Sequence, residues 1–162
     1  MTDYDGLLRL LADGKVEFIV VGGLAATAHG SARYTKDVDV VYRRTPENIS
    51  RLVKALASVA PYLRGAPPGL PFRWDAETVA HGLNFTLATT LGDIDVLGEI
   101  VGGGTYEELQ THSVKIVVFG MECLCLDLDT LIHVKRAAGR PKDFEAISEL
   151  EALREEREPR GG

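Results

Sequence analysis

The chain has 162 residues, of which 45% are hydrophobic and 26% charged, and it carries a formal net charge of −6. A domain of this length buries about 68–70% of the surface its unfolded chain exposes, so it can hold a core without disulfides or metal staples. The acidic balance argues against a protein that coats nucleic acid, because affinity for phosphate backbones comes largely from Lys and Arg, although a local basic patch stays open. The uncharged run Phe18 to Ala32 spans fifteen residues and is broken by two glycine-containing turns, His29 and Ser31, which makes it too short and too polar for a bilayer. No basic-then-apolar leader opens the chain. The only cysteines, Cys123 and Cys125 in "MECLCL", share one strand face and read as buried thiols, with no second Cys pair or nearby His to complete a zinc set. A reducing, cytoplasmic setting is the expectation.

In chain order, Leu7, Leu8, Leu10 and Leu11 predict a short helix ending near Gly14. "VEFIVV" predicts a buried strand, "LAATAH" after Gly22-Gly23 a brief helix stopped by Gly30, and "KDVDVVYR" a second strand. Thr45-Pro46-Glu47 opens a helix running to about Ala60, with Thr45 as N-cap and Pro46 at the first helical position. "RGAPPGLPFRWD" reads as a loop, since four of the seven prolines fall between Pro61 and Pro71. "LNFTLATT" and "DIDVLGEI" read as a hairpin joined by Leu91-Gly92. Gly102-Gly103-Gly104 forms a loop before a short helix at Tyr106 to Gln110, and "VKIVVFG" with "MECLCL" makes another hairpin around Gly120. Helices follow from Asp129 to about Ala138 and from Asp143 to about Arg157, with "GRP" between them and an "EPRGG" end expected to fray. The order βαβα, then hairpins, then two helices predicts an α/β (α+β) fold, a mixed β-sheet flanked by helices. Residues 1–162 are expected to form one domain, with a core at about 17–126 and a C-terminal helical segment at about 127–158.

Asp-x-Asp by itself says little: eleven Asp in 162 residues give about one such pair by chance, and the chain has four. Asp3 and Asp5 lie near the terminus and are expected to be solvated, while Asp127 and Asp129 stand where a strand gives way to a helix and are expected to cap it. The other two pairs have apolar residues in the intervening positions. In "DVDVV", Asp37 and Asp39 share one strand face and Val38 and Val40 the other; in "DIDVL", Asp93 and Asp95 likewise share a face. If the two strands are neighbours, three or four carboxylates meet, and protonation or a bound cation must relieve their repulsion. Oxygen ligands suit Mg²⁺ first. The plainer alternative is a pair of amphipathic edge strands with wet acidic faces.

Gly22-Gly23 closes a strand and opens a helical turn, so it is either a phosphate-approaching backbone or a tight turn that needs glycine. Ser31, Arg33, Thr35 and Lys36 add polar and cationic groups just before the Asp pair.

Taken together, Val21-Gly22-Gly23, a thirteen-residue spacer, Asp37-Val38-Asp39 and the later Ile94-Asp95-Val96 resemble the motif of the nucleotidyltransferase superfamily that includes DNA polymerase beta. Arg33, Thr35, Asp37 and Asp39 also resemble the "R-x-T-x-D-x-D" run of small bacterial members such as the AbiE-type toxin nucleotidyltransferases. "KRAAGRPKDFEA" is similar to their C-terminal helical segment through Lys135, Arg140, Lys142 and Asp143, with Ala146 where an Asp is common. The resemblance runs from about residue 17 to 150. It implies transfer of a nucleoside monophosphate from an NTP to a hydroxyl acceptor, which could be an RNA or tRNA end, a protein or a small molecule. It further implies that Asp37, Asp39 and Asp95 are catalytic and hold Mg²⁺, or Mn²⁺ in its place, with Asp95 able to take the hydroxyl proton. Asp93 is expected in a supporting place behind them. Gly22 and Gly23 would approach the triphosphate, and Ser31, Arg33, Lys36, Lys135 and Arg140 would bind nucleotide or acceptor, the alternative being solvated loop and helix-end positions. A toxin–antitoxin role with a cognate antitoxin is a further implication; a catalytically silent nucleotide-binding or antitoxin-like partner on the same fold is the alternative function.

The remaining motifs carry less. His29, His81, His112 and His133 match no nucleophile or metal spacing and are expected to be structural. Trp74, beside Phe72 and Arg73, is expected to pack the proline-rich loop against the core rather than stack on a base. "GGGTYEE" lacks the Lys-Ser/Thr of a phosphate-binding loop, and Val41 stands where an Asp-x-Asp-x-Thr phosphatase would need Thr.

Overall fold

The computed structural model describes residues 2–33, 35–141 and 143–157; Lys142 and the "EPRGG" end lie outside the described residues. Helix α1 (Tyr4–Asp13) starts three residues before its first leucine. Its free N–H groups therefore need an acceptor, and Asp3 supplies it, accepting from the Gly6 N–H at 2.8 Å. Asp5 pairs with Arg9 at 2.9 Å one turn on. Asp3 is exposed and Asp5 half-exposed, in line with the expected solvation, and each has a local partner besides.

Strand β1 (Phe18–Val21) is buried at every position and runs without a break into α2 (Gly22–Ala28). Strand β2 (Asp37–Tyr42) leads to α3 (Pro46–Leu56), where Thr45 caps the Asn48 N–H as the Thr-Pro pair predicts. A single 3-10 turn, Ala57–Val59, precedes the short strand β3 (Tyr62–Leu63). Beyond the proline-rich loop come α4 (Ala76–His81), β4 (Asn84–Thr89) and β5 (Gly92–Leu97). The small ribbon β6 (Glu99–Ile100) and β7 (Gly104–Thr105) sets up α5 (Tyr106–Gln110), whose Thr105 and Glu108 close a capping box. Hairpin β8 (Ser113–Val118) and β9 (Met121–Leu126) is followed by α6 (Leu128–Ala138), capped by Asp127, and α7 (Asp143–Arg157).

Seven strands form one mixed sheet in the order β3-β4-β5-β2-β1-β9-β8. β1 runs antiparallel to β2 and parallel to β9, and β2 runs parallel to β5. The expected hairpins are present, with the first turning at Thr90-Leu91, one residue before the predicted tip. Helix α3 packs on α1 and α4, and α6 on α2 and α7, with α1 and α2 each also in contact with the sheet. Val38, Val40, Ile94 and Val96 are fully buried, so the apolar positions of the two Asp-bearing strands anchor the sheet to its core. These are interior strands, and the edge-strand alternative does not hold. Cys123 and Cys125 are buried free thiols, and burial, with the neighbouring Cys123 and Asp127, pushes Cys125 up to about 12. No helix among the described residues is long and apolar enough to cross a membrane.

Candidate active site

The parallel pairing of β2 with β5 sets Asp37 opposite Asp93 and Asp39 opposite Asp95, while the antiparallel pairing of β1 sets Val21 opposite Asp39. Side chains in matched register on parallel strands point to the same face. The four carboxylates therefore gather at the end of the sheet where β1 runs out and β2 and β5 begin. Oxygens of Asp37, Asp39 and Asp95 lie within 4.8 Å of one another. Asp39 is the most affected: its burial, followed by the charge of Asp37 and by Asp95, pushes its carboxyl up to about 8.

The Gly-Gly pair has a structural task in this arrangement. Gly22 takes φ +67°, and a Cβ there would collide with the Asp39 carboxylate; a Cβ on Gly23 would press on the Thr35 hydroxyl. The turn thus lets the backbone come up against the acidic cluster, and any side chain would push the two apart.

Arg64, at the end of β3, was not foreseen. Its N–H donates to the Thr86 carbonyl at 2.9 Å, extending the β3–β4 ladder, and its guanidinium crosses β4 into the cluster. There Nη1 donates to Asp37 Oδ2 at 3.3 Å, Nη2 donates to Asp95 Oδ1, and Nε stands 3.6 Å from Asp93 Oδ2. Burial works against the charge of Arg64, and the hydrogen bond and charge of Asp95, with the charges of Asp93 and Asp37, outweigh it. A lone Arg before a Pro-Gly loop carries no sequence signal; only the long-range pairing of β3 with β4 brings it to the site.

Asp37, Asp39, Asp95 and Gly22 border a cleft of about 560 Å³ whose other walls include Leu97, Ile100, Leu131, Val134, Lys135 and Arg140. Lys135 and Arg140 are organised by the buried Asp143: Arg140 Nε donates to its Oδ2 at 2.8 Å, and Lys135 Nζ lies 4.0 Å from its Oδ1. Burial lowers the pKa of Lys135, against the pull of Asp143. Gly23, Ser31, Arg33, Thr35 and Lys135 line an adjoining cavity of about 160 Å³. Ser31 and Arg33 are engaged by α7: the Ser31 hydroxyl donates to Glu149 at 3.0 Å, and Arg33 pairs with Glu149 at 2.9 Å and Glu145 at 3.2 Å. Lys36 is exposed and lines neither cavity; its carbonyl accepts from the Thr2 hydroxyl.

The histidines and Trp74 stand away from the acids. His29 is buried, with Nε2–H donating to the Leu126 carbonyl at 2.7 Å, which leaves Nδ1 to accept from Arg157 at 2.9 Å. Trp74 donates its indole N–H to the Val53 carbonyl and meets Phe85 edge to face, so it packs the loop as expected.

The donor set suits a hard divalent cation: every group is a carboxylate, three of them converge, and the Arg64 guanidinium already occupies the place of a positive counter-charge.

No protein-family model matches the sequence, and no curated protein matches it. Solved structures do. A lincosamide antibiotic adenylyltransferase, LnuA, in a lincomycin-bound structure, superposes with a TM-score of 0.61 at 13% identity, covering 94% of this chain and 98% of its own. ANT(2″)-Ia in complex with adenylyl-2″-tobramycin gives 0.55 at 13% identity, covering 94% and 95%. An antigenic nucleotidyltransferase-like protein from Paracoccidioides brasiliensis gives 0.55 at 16% identity, covering 92% and 72%. The chain has the fold of these nucleotidyltransferases.

Proposed function

We propose that the protein is a divalent-metal-dependent nucleotidyltransferase that moves a nucleoside monophosphate from an NTP to an acceptor hydroxyl. The observation that carries this reading is the convergence of Asp37, Asp39 and Asp95 from two paired strands, beside a glycine turn in contact with Asp39. In the reaction the acceptor oxygen forms a bond to the α-phosphorus, the bond from that phosphorus to the bridging oxygen breaks, and pyrophosphate leaves. Mg²⁺, or Mn²⁺, held by the three carboxylates would offset the charge of the triphosphate and acidify the acceptor hydroxyl. Asp95 lies on the far side of Asp39 from β1 and would accept the hydroxyl proton. Lys135 and Arg140, fixed by Asp143, supply positive charge across the cleft for phosphate oxygens. Gly22 and Gly23 keep the backbone low enough for the triphosphate to approach.

The cleft favours a compact acceptor. Its mixture of acids with Leu97, Ile100, Leu131 and Val134 suits an amphipathic small molecule with a hydroxyl. The proteins named in the lincomycin and adenylyl-tobramycin complexes, which this chain matches over nearly their whole length, support that choice. The test is incubation with Mg²⁺ and each α-labelled NTP in the presence of lincosamides, aminoglycosides, total RNA or a protein extract. Labelled small-molecule product that disappears in Asp39→Asn is the expected result. Labelled RNA or protein would instead favour the toxin reading, in which a cognate antitoxin would be sought. NTP binding with no transfer to any acceptor would contradict the enzymatic reading in favour of a silent nucleotide-binding partner.

A further inference from the structure

The guanidinium of Arg64 and a divalent cation would draw on the same carboxylates. Nη1 takes Asp37 Oδ2 and Nη2 takes Asp95 Oδ1, and both carboxylates belong to the only group of three metal-compatible side chains among the described residues. A cation coordinated by those carboxylates would stand against the guanidinium with like charge, in a partly buried setting where repulsion is poorly screened. We propose that Arg64 is a built-in competitor of the first divalent cation: it must give up Asp37 and Asp95 before they can coordinate one, and Asp93 keeps it close when it does. This inference rests on the metal-site reading above and adds a positioning residue to it.

Three observations carry it. The side chain is held but not locked: its Nε is buried without a hydrogen-bond partner, 3.6 Å from Asp93 Oδ2, which is beyond hydrogen-bonding length. A short move toward Asp93 would satisfy that donor and release Asp37 and Asp95, giving up also the long 3.4 Å contact of Nη2 with the Leu87 carbonyl. Asp93 is also the one carboxylate of the four outside the converging group, although its register opposite Asp37 places it on the same face. A supporting anion at that position gives the retracted guanidinium a partner without using a ligand oxygen. Finally, Arg64 stands where the sheet ends. Its N–H is pinned to the Thr86 carbonyl, and the next residue, Gly65 at φ +79°, lies in a turn closed by the Ala66 N–H donating to the Leu63 carbonyl at 3.2 Å, so the backbone stays in place and retraction is a movement of the side chain alone.

The test is Mn²⁺ titration of the full chain without nucleotide, following the free-ion signal by electron paramagnetic resonance, for wild type, Arg64→Ala, Arg64→Gln and Asp39→Asn. Removing a merely structural arginine would leave Mn²⁺ affinity unchanged or weaken it. Removing a competitor is expected to tighten it by about tenfold or more, since an opposing unit charge leaves the site. Arg64→Gln, which keeps length and hydrogen-bonding capacity without charge, covers the case in which Arg64→Ala does not fold, with circular dichroism as the check. Affinity equal to or weaker than wild type in a folded Arg64→Gln overturns the proposal and leaves the metal site standing, provided Asp39→Asn still weakens binding. No Mn²⁺ uptake by wild type and variants alike overturns both.

Discussion

Gly22 and Asp39 occupy volumes that exclude any side chain between them. With φ at +67° and the Asp39 carboxylate where a Cβ would go, Gly22→Ala combines backbone strain with a displaced acid. It is expected to cost about 1–3 kcal/mol in chemical denaturation and to abolish transfer. Stability equal to wild type would show that the turn relaxes freely. Asp39 itself gives a signed pH effect. Its carboxyl is near 8 in the folded protein, chiefly through burial, against an ordinary value of 3.8. Between these limits the folded state keeps a proton that the unfolded chain has released, so this residue makes stability fall as pH rises from about 4 to about 8. Without added divalent cation, Asp39→Asn is therefore predicted to raise the urea midpoint above wild type at pH 8 and to flatten its pH dependence, while losing activity. A midpoint below wild type at that pH would contradict the assignment. At this scale the three converging acids were legible because apolar neighbours mark their strands. Arg64 was not, because nothing local distinguishes it from any other loop arginine.

Among the elements, the pairing of β2 with β5 decides the site, and the sequence could state it only conditionally: two acidic strands matter if they are neighbours. Strand periodicity was readable in "DVDVV" and "DIDVL", whereas the partner of each strand is a property of the whole sheet. β3 has two residues and no period to detect, and α4 is one and a half turns long, though Asp75 capping Thr78 was a local signal for it. Nothing in the chain around Ser31 announced that α7 would hold it. Glu149 accepts from the Ser31 hydroxyl, the Ala32 N–H and Arg33, and these contacts keep its pKa low. Glu149→Ala is expected to speed amide exchange across 31–36 by mass spectrometry while leaving β1 protected. Unchanged exchange in 31–36 would mean that the loop is held by its own backbone and by the Tyr4–Thr35 and Thr2–Lys36 contacts alone.

For the molecule as a whole, one mixed sheet brings acids from β2 and β5, the glycine turn after β1, and cations from α6 and from the connection between α6 and α7 to the rim of a single cleft. Solved nucleotidyltransferases at 13–16% identity share the fold, so the fold persists where little sequence does. What decides the chemistry is whether the three carboxylates bind a cation together with a nucleotide. Crystals soaked with Mn²⁺ and a non-hydrolysable NTP, with data collected for manganese anomalous scattering, measure this directly. The account predicts an anomalous peak within coordination distance of Asp37, Asp39 and Asp95, with the triphosphate beside Gly22 and Arg64 turned toward Asp93. Bound nucleotide with no manganese at these carboxylates would contradict it.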